Sequence, residues 1–411
     1  MNKLRLIGPF ARLITMDNLP GKGPVKDDQL EVIDHAGLLL NGEIIEATGP
    51  YRELQHLAAD KEIVEGTYTV MPGMIDVHTH ICWAGSRAGD YAMRLSGKSY
   101  LEIAELGGGI WSTVCKTRDT DLDALSKITA ERARKLLILG TTTIEVKSGY
   151  GLQADAEIKM LKAIANAGHQ SGADLIATCL AAHIKPRDFE GTPRHYLDQL
   201  IQDVLPKVRA QKLANRVDIY IDEGAFSAED GFFYLQEAKK MGFDVVIHAD
   251  QFYPGGLDLA IRIDAISADH LEATKENDLS RLAASNVIPV ALPGASLGLG
   301  AGFAPARRLL DTGNSLVIAS DWNPGSAPMG RLLTQACVLG VYEKLTMAET
   351  LAALTCRAAP ALRLSDRGIL RAGMLADFIA FPCSDYREII YNQGSLMPEM
   401  VWKRGKIMNA Q

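Results

Sequence analysis

The sequence predicts a (β/α)8 barrel accompanied by a small β-sandwich. Eight strand-like apolar runs alternate with amphipathic helical segments between residues 68 and 366, which is the repeat of such a barrel. The runs are rich in valine and isoleucine with little alternation, as expected of parallel strands covered on both faces. Short strand patterns separated by turns flank this region at both ends. An open doubly wound sheet is the main alternative for the central region.

The first 67 residues read as short strands joined by turns. Asn41-Gly42 separates two of them and is a strong hairpin signal, because both residue types tolerate the positive φ of a type I′ turn. A loop rich in glycine, proline and charge covers residues 18–29 and is expected to be exposed. The predicted strands cover residues 4–7, 11–16, 37–40 and 44–47.

The central region supplies the eight strands of the predicted barrel. Helical patterns between them include 121–139, then 154–167 with Gly168 as a C-terminal stop, and 232–240 with Ser227 as an N-cap. The predicted strands are 74–81, 141–146, 175–182, 217–222, 244–248, 265–269, 287–292 and 315–319.

After the barrel, residues 368–381 and 400–408 return to short strand patterns punctuated by glycines. The most economical arrangement pairs them with the N-terminal strands. We therefore expect two units. Residues 1–67 and 367–411 would form a composite β-sandwich, and residues 68–366 would form the barrel.

The composition excludes several classes of protein. The 411-residue chain has a net charge of −7 and no run of lysine or arginine, which argues against a nucleic-acid-binding surface. Its six cysteines are scattered without a Cys-x-x-Cys pair, so neither disulfides nor a zinc ribbon is expected. No apolar stretch is long enough to span a bilayer, and the N-terminus lacks the features of a signal peptide. We expect a cytoplasmic enzyme or binding protein without nucleic-acid or membrane partners.

Two histidines, His78 and His80, stand two residues apart at the end of the first predicted barrel strand. Because a strand repeats every two residues, both imidazoles point to the same side and could hold one metal ion. His248 ends the fifth strand, and Asp321 ends the eighth, which adjoins the first in a closed barrel. Three neutral imidazoles and a carboxylate can form a zinc site with a position left open for water. Water in such a site is a usable nucleophile near pH 7.

Other predicted strand ends also carry polar residues. Lys147 follows the second strand, His183 ends the third, and His270 ends the sixth. Five of the nine histidines thus lie at strand ends, where a barrel enzyme builds its active site. His270 is a candidate proton carrier, with a further metal ligand or an orienting residue as the alternatives. The remaining histidines fall in loops or helices and are expected at the surface: His35, His56, His169 and His195.

Several motifs then match a known family. The chain resembles the amidohydrolase superfamily over nearly its whole length, and within it is similar to the imidazolonepropionases. The segment Glu-Val-Lys-Ser-Gly-Tyr-Gly at 145–151 is the most restricted of these motifs and carries most of the subfamily resemblance. The matching motifs lie at residues 78–80, 84–87, 100–104, 107–110, 142–152, 248–251 and 321–325.

The resemblance implies one zinc or iron ion per subunit, held by His78, His80, His248 and Asp321, and a homodimer. The implied reaction opens the cyclic amide C–N bond of 4-imidazolone-5-propanoate with a metal-activated water and gives N-formimidoyl-L-glutamate. His270 and Asp321 would move the protons, and His183 would assist at the carbonyl oxygen. The residues implied to contact this small carboxylate-bearing substrate are Arg87, Tyr150, His183, Gln251, Asn323, Gly325 and Ser326.

The substrate carboxylate needs a cation, and the guanidinium of Arg87 offers two parallel hydrogen bonds. A surface salt bridge is the alternative role for Arg87. Lys147 is relevant to the number of metal ions. Two-metal members of the superfamily bridge their ions with a modified lysine on the fourth strand. Here the fourth strand ends in Asp222-Glu223-Gly224 instead, which favours one metal and leaves Lys147 a supporting or structural residue.

The chain departs from the family pattern near the expected pocket. Gln251 stands where other members carry glutamate, Ser326 replaces threonine, and Trp322 is bulkier than expected. A sister amidohydrolase that opens a hydantoin- or thiohydantoin-propanoate ring is therefore an alternative function. A non-catalytic barrel scaffold is the other alternative, and the complete set of ligands argues against it.

Overall fold

The computed structural model describes residues 3–98, 102–103 and 106–408, which contain two eight-stranded sheets. One sheet is parallel and curls into a nearly closed barrel, and the other is mixed and combines strands from both ends of the chain. The predicted fold class, a barrel with a separate β unit, is confirmed. Of the motif at 100–104, only residues 102 and 103 lie within the described part of the chain.

The mixed sheet takes five strands from the N-terminal region and three from the C-terminal region. They are β1 (Arg5–Ile14), β2 (Val32–Asn41), β3 (Ile44–Pro50), β4 (Asp60–Ile63), β5 (Thr69–Pro72), β14 (Phe378–Phe381), β15 (Met400–Lys403) and β16 (Lys406–Ile407). Its order is β16-β15-β14-β5-β1-β2-β3, with β4 paired to β1. The expected β-sandwich is therefore one continuous sheet. It surrounds its own apolar core, in which the ring of Trp402 stacks on Phe378 at 4.6 Å and meets Phe10 edge-on.

Two local predictions in this sheet differ from the structure. The two strands predicted at 4–7 and 11–16 are one strand, β1, interrupted by a register shift between Ile7 and Phe10. The β2–β3 hairpin forms as expected, but Asn41 pairs with Ile44, so the turn consists of Gly42 and Glu43. Gly42 carries the positive φ of that turn, at 65°.

The barrel strands follow one another in sequence order around the sheet, as in a repeated β/α unit. All neighbouring pairs are parallel, and the interior positions are buried. The strands are β6 (Met74–Asp76), β7 (Thr141–Lys147), β8 (Asp174–Ala182), β9 (Arg216–Ile221), β10 (Asp244–Ala249), β11 (Ser267–His270), β12 (Ile288–Ala291) and β13 (Val317–Ile318).

Helices cover the outside of the barrel, and their ends follow local sequence signals. Ser227 caps Ala228–Lys240 as predicted, its hydroxyl accepting a hydrogen bond from the amide of Asp230. The predicted stop at Gly168 is wrong, because the helix continues to Ser171 and ends at Gly172, which has a φ of 82°. Among the described residues, no helix combines the length and apolarity needed to cross a membrane.

The helices within the described residues are Tyr51–Leu54, Ala88–Leu95, Ile110–Asp119, Leu122–Ile138, Ala154–Ser171, Pro193–Gln199, Leu205–Ala210, Ala228–Lys240, Gly256–Ile263, Glu276–Ala283, Pro293–Leu299, Ala306–Asp311, Leu332–Tyr342, Met347–Leu354, Ala358–Ala361 and Arg387–Tyr391. A 3₁₀ turn (Asp27–Gln29) and a π turn (Leu200–Val204) complete the helical elements there.

The change from one sheet to the other takes place within a short stretch. The strand β5 ends at Pro72 in the mixed sheet, and β6 begins at Met74 in the barrel. We propose that the β unit and the barrel divide between residues 67 and 68 and between residues 366 and 367. The sheets themselves change at Gly73, which lies a few residues after the first of these positions.

A cluster of charges joins the mixed sheet to the barrel. Asp174, the first residue of β8, lies 2.8 Å from Lys403 Nζ and 2.5 Å from Arg367 Nη1. Arg404 Nη2 approaches the same carboxylate at 3.2 Å. Burial would raise the pKa of Asp174, but the surrounding cations outweigh it and hold that pKa at about 2. The carboxylate is therefore charged and stabilises the contact between the two sheets at neutral pH.

Replacing Asp174 by asparagine is expected to lower the free energy of unfolding at pH 7 by about 1–2 kcal/mol, after allowance for solvent screening at a partly exposed group. The pKa of Asp174 is depressed below its ordinary value of 3.8, so its contribution is present above that pH and is lost as the pH falls towards 2. Urea unfolding at pH 7 and near pH 2 measures the difference. Asp258→Asn is the control, because Asp258 forms exposed ion pairs with Arg281 and Arg262. Equal stability of Asp174→Asn and wild type at pH 7 would contradict the expectation.

Candidate active site

The carboxyl ends of the first and last barrel strands lie side by side at the mouth of the barrel. Beyond β6 and β13 the two chain segments continue to pair, because the amide of Asp321 donates to the carbonyl of His78 and the amide of His80 donates to the carbonyl of Trp322. Both hydrogen bonds are 3.0 Å long. They place Asp321 next to both histidines. His248, in β10, reaches the same point from across the barrel.

The ring nitrogens of the three histidines converge. His78 Nε2 lies 3.2 Å from His80 Nε2, which lies 3.4 Å from His248 Nε2. Asp321 Oδ1 is 3.3 Å from His80 Nε2 and 3.6 Å from His78 Nε2. Ligand atoms about 2.0–2.1 Å from one zinc ion are separated by roughly 3.3–3.4 Å in a tetrahedron. The ligand nitrogens of the three histidines lie within 4.8 Å of one another, which suits a single ion, and Asp321 Oδ1 adjoins two of them.

The three rings are in the protonation state that a metal site requires. Burial lowers the pKa of His80 to about 3 and that of His248 to about 4, and it holds the pKa of His78 well below its ordinary value. Neutral imidazoles each offer one lone pair. Three lone pairs directed at one buried point are unfavourable unless a cation lies there, so the donor set itself suits a metal ion.

Carboxylates behind the rings fix which nitrogen faces the centre. Asp269 Oδ2 lies 2.6 Å from His78 Nδ1, and Asp218 Oδ2 lies 3.0 Å from His248 Nδ1. A carboxylate accepts a hydrogen from Nδ1, which leaves the lone pair on Nε2. Between these carboxylates lies the buried ammonium of Lys147. Burial would lower its pKa, but Asp218 and Glu145 outweigh this and raise it.

His270 lies beside the cluster of histidines, with its ring centre 5.4 Å from that of His248 and 5.9 Å from that of His78. Its Nδ1 is 3.5 Å from a carboxylate oxygen of Glu272. Burial disfavours the charged imidazolium, but this carboxylate outweighs it and raises the pKa of His270. The backbone is strained here, since His270 and Leu271 both have positive φ values, of 89° and 72°. Such strain persists where the surroundings fix the geometry.

Tyr150 and His183 form one wall of the site. The His183 ring stacks on His80 at 5.4 Å, and the Tyr150 ring lies 5.6 Å from His183. His183 Nδ1 lies 3.0 Å from the carbonyl oxygen of Gly149, which can only accept a hydrogen bond. Nδ1 therefore carries the proton. Burial lowers the pKa of His183 well below its ordinary value, so the neutral ring presents an accepting Nε2 to the site.

A buried glutamate holds this wall in place. The carboxylate of Glu157 accepts hydrogen bonds from the amides of Gly149, Gly151 and Leu152 at 3.1, 2.7 and 2.8 Å. These residues enclose Tyr150 in the loop after β7. Glu157 belongs to the helix Ala154–Ser171, so the position of the loop is set by the outer layer of the barrel.

The loop after β13 is organised by the amide group of Asn323. Its Oδ1 accepts from the amides of Gly325 and Ser326 at 2.7 and 2.8 Å, which assigns the orientation of the group. Its Nδ2 lies 2.9 Å from Asp321 Oδ2 and 2.9 Å from the hydroxyl of Ser326. All hydrogen-bonding atoms of Asn323 thus serve the loop and Asp321. Oδ1 of Asp321 is left to face the histidines.

Arg87 lies beside the same loop. A Cβ at Gly325 would lie 2.3 Å from Arg87 Nη1, so glycine is required for this close approach. Arg87 Nε pairs with Asp90 at 2.8 Å, and both side chains are largely buried, at 14% and 15% exposure. Asp90 also accepts from the amide of Gly109. Asp90 therefore holds Arg87 at the mouth of the barrel. Their ion pair is largely buried, so it is not the surface salt bridge considered as the alternative.

Gln251 follows β10 and is half-buried at the rim. Its Oε1 accepts a hydrogen bond from the hydroxyl of Tyr220 at 3.0 Å. The Tyr220 ring in turn lies 5.8 Å from the ring of His248. Gln251 is thus placed near the histidine cluster through a residue of β9.

Sequence reasoning missed several residues that surround the ligands. Asp218 and Tyr220 lie in β9, and Glu145 lies in β7 two residues before Lys147. A signal for them is present, since polar residues spaced by two inside otherwise apolar strands share one face. In a barrel whose outer face packs on helices, that face points inward. Glu157 gave no comparable signal, because a glutamate in the first turn of a helix is ordinary.

Comparison with known proteins agrees with this geometry. A family model described as the amidohydrolase family matches residues 69–408. The chain belongs to the amidohydrolase family.

Its curated relatives refine this assignment. An imidazolonepropionase of Alkaliphilus oremlandii is 37% identical over 411 residues, covering 97% of this chain and 96% of the relative. One of Deinococcus deserti is 39% identical over 381 residues, covering 92% and 93%. This similarity along the whole chain places it among the imidazolonepropionases, which confirms the predicted family and the prediction of a metal-dependent hydrolase.

Solved structures with the same fold are more distant in sequence. An atrazine chlorohydrolase from Arthrobacter aurescens, complexed with zinc, superposes with a TM-score of 0.69 at 17% identity, covering 98% of this chain and 94% of that one. An adenosine deaminase from Xanthomonas campestris with bound zinc gives 0.70 at 18% identity, covering 98% and 92%. At these identities the likeness supports the fold alone.

Proposed function

We propose that the chain hydrolyses the cyclic amide C–N bond of 4-imidazolone-5-propanoate and releases N-formimidoyl-L-glutamate. The observation that carries this proposal is the similarity to imidazolonepropionases over 97% of the chain. The site supports it, because a set of metal ligands, a candidate proton carrier and an arginine lie at one mouth. Gln251 and Trp322 motivated a related ring bearing a propanoate group, such as a hydantoin, as the alternative, and the imidazolonepropionase relatives do not favour it.

We propose that His78, His80, His248 and Asp321 hold one divalent ion, zinc or iron. The grouping of the three neutral imidazoles supports this, as do the distances of 3.3 and 3.6 Å from Asp321 Oδ1 to His80 Nε2 and His78 Nε2. When bound, such an ion supplies polarisation of the scissile carbonyl group and lowers the pKa of a water molecule.

Proton movements are assigned to Asp321 and His270. Asp321 Oδ1 faces the ligand cluster while Asn323 holds its other oxygen, so it is oriented to take the proton of the attacking water. His270 lies on the adjoining side and is paired with Glu272, which suits a group that gives a proton to the departing ring nitrogen. Both side chains are buried, which limits their contact with bulk water.

The remaining residues bind and orient the substrate. Because His183 presents an accepting Nε2, we assign it to a ring N–H of the substrate instead of the carbonyl oxygen expected from the sequence. We assign the terminal nitrogens of Arg87 to hydrogen bonds with the propanoate carboxylate of the substrate. Tyr150 would lie beside that carboxylate. Gly325 permits the approach of Arg87, and we assign Ser326 and Gln251 to the rim of the same pocket.

We further propose that the chain acts in the cytoplasm as a homodimer. All six cysteines are free, which suits a reducing compartment. The homodimer rests on the family resemblance.

The zinc-loaded protein is expected to consume 4-imidazolone-5-propanoate, seen as loss of ring absorbance with equal formation of formimidoylglutamate. Hydantoin- and thiohydantoin-propanoate are expected to react at least about tenfold more slowly, because a carbonyl or thiocarbonyl on the carbon between the ring nitrogens changes the hydrogen-bonding pattern next to His183. Side-by-side measurement of kcat/KM decides between the rings. A higher kcat/KM for a hydantoin ring would favour the sister enzyme, and no turnover of any ring would favour the scaffold.

Replacing His248 by alanine is expected to remove most of the bound metal, because the site loses one of its imidazole ligands. Elemental analysis of the purified protein gives the metal content per chain. His169→Ala is the control, since His169 is exposed on the helix Ala154–Ser171. Full metal content in His248→Ala would exclude His248 as a ligand.

Replacing His270 by alanine is expected to leave the metal content unchanged and to lower kcat by about 10²–10⁴-fold, the range for loss of a general acid or base. Metal analysis and steady-state kinetics on one preparation separate the two effects. His56→Ala, at an exposed position, serves as the control. Loss of metal together with activity would instead make His270 a ligand.

A further inference from the structure

A buried lysine in the barrel has no part in the proposed reaction. Lys147 is the last residue of β7, and its side chain is fully buried. Its Nζ lies 2.8 Å from Asp218 Oδ2, 2.9 Å from Glu145 Oε1 and 3.8 Å from Asp269 Oδ2. These partners come from β7, β9 and β11, which are alternate strands of the barrel. Side chains of alternate strands form one interior layer, so Lys147 lies at the centre of a layer just below the ligands.

Two of these carboxylates also contact histidines of the candidate metal site, and they do so through the same oxygen atom. Asp218 Oδ2 lies 3.0 Å from His248 Nδ1, and Asp269 Oδ2 lies 2.6 Å from His78 Nδ1. The ammonium therefore shares an oxygen with each ring. A shift of Lys147 relative to either carboxylate would change the direction in which the ring presents Nε2.

From this arrangement we propose that Lys147 is a positioning residue for the metal site. It holds Asp218 and Asp269 at the separation that aims His248 and His78 at a common point. The proposal rests on the proposed metal ligands. It gives a role to the Glu-Val-Lys segment, which takes no part in the proposed reaction.

Electrostatics explains why a cation is required at this point. Glu145, Asp218 and Asp269 are all buried, and carboxylates this close together repel one another strongly where water is absent. The ammonium is attracted to all three: it donates a hydrogen bond to Glu145, lies 2.8 Å from Asp218 Oδ2 and faces Asp269 Oδ2 at 3.8 Å. Without it, the carboxylates would move apart, and Asp218 and Asp269 would leave the Nδ1 atoms that they hold. The hydroxyl of Ser267 lies 2.6 Å from Asp269 Oδ1, so it holds only that oxygen of the carboxylate and leaves Oδ2 to the other partners.

The test compares Lys147→Met with a control that removes a similar buried ammonium elsewhere. Lys403 also lies between two carboxylates, Asp174 and Asp377, but in the contact between the two sheets. Lys403→Met therefore reports the cost of losing a buried ion pair without touching the metal site. Zinc affinity is measured by competition with a chromogenic chelator well below the melting temperature of each variant. Near-ultraviolet circular dichroism verifies the fold.

Lys147→Met is expected to bind zinc about 10–100-fold more weakly than wild type, the range for loss of a residue that orients metal ligands. Lys403→Met is expected to stay within twofold of wild type. The visible spectrum of the cobalt-loaded protein is expected to change in Lys147→Met and to be unchanged in Lys403→Met, because it reports the geometry of the ligands. Zinc affinity within twofold of wild type in folded Lys147→Met would overturn the proposal.

Should Lys147→Met fail to fold, Lys147→Arg keeps the charge while placing a planar guanidinium where a compact ammonium fits. Its zinc affinity is expected to fall by more than twofold, and an affinity equal to that of wild type would overturn the proposal equally. Absence of zinc binding by the wild-type chain would instead contradict the proposed metal site. The two failures are therefore distinguishable.

Discussion

Buried charge without access to water is the constraint on which the structure of this barrel depends. A single uncompensated carboxylate in such an interior costs several kcal/mol, and the layer below the mouth contains Glu145, Asp218 and Asp269. Burial would raise the pKa of Asp218, but His248 and Lys147 outweigh it and lower that pKa, so Asp218 stays charged. Burial raises the pKa of Glu145 and brings that of Asp269 to about 7, which reduces the charge that Lys147 has to balance. The same pairing leaves the opposite ring nitrogens without protons and directed at one point. The contacts that stabilise these buried carboxylates therefore also orient His78 and His248 towards the candidate cation site.

The two sheets meet under a similar constraint. Asp174 begins a barrel strand and is surrounded by Arg367, Lys403 and Arg404, which come from the C-terminal segment. The start of this barrel strand is thus in contact with residues 193 to 230 positions later in the chain. Because the N-terminal strands pair with those C-terminal strands, the mixed sheet ties both ends of the chain to the start of β8.

Much of the fold could be predicted from the sequence, because strand cores and strand ends differ in composition. The eight barrel strands and the concentration of histidines at their ends were visible as apolar runs closed by polar residues. The helix end at Gly172 was missed, since Gly168 offered an equally good local signal and packing against β8 decided between them. Asp218 and Glu157 were missed for a different reason. Asp218 contacts Lys147 and His248 in other strands, and Glu157 binds amides of a loop five to eight residues before it. An acidic residue in the sequence does not by itself indicate such a partner.

The site divides into two parts that are held by different means. The ligand side is fixed from below by side chains of β7, β9 and β11, which belong to the interior of the barrel. The substrate side consists of loops, each organised by one polar side chain: Glu157 for the loop of Tyr150, Asn323 for that of Ser326 and Asp90 for Arg87. Glu157 and Asp90 bind loop amides and Arg87, whereas Asn323 also donates to Asp321 Oδ2, so a change at Asn323 would reach a candidate ligand. We therefore expect changes at Glu157 or Asp90 to act first on substrate binding, and changes in the layer around Lys147 to act first on the candidate metal site.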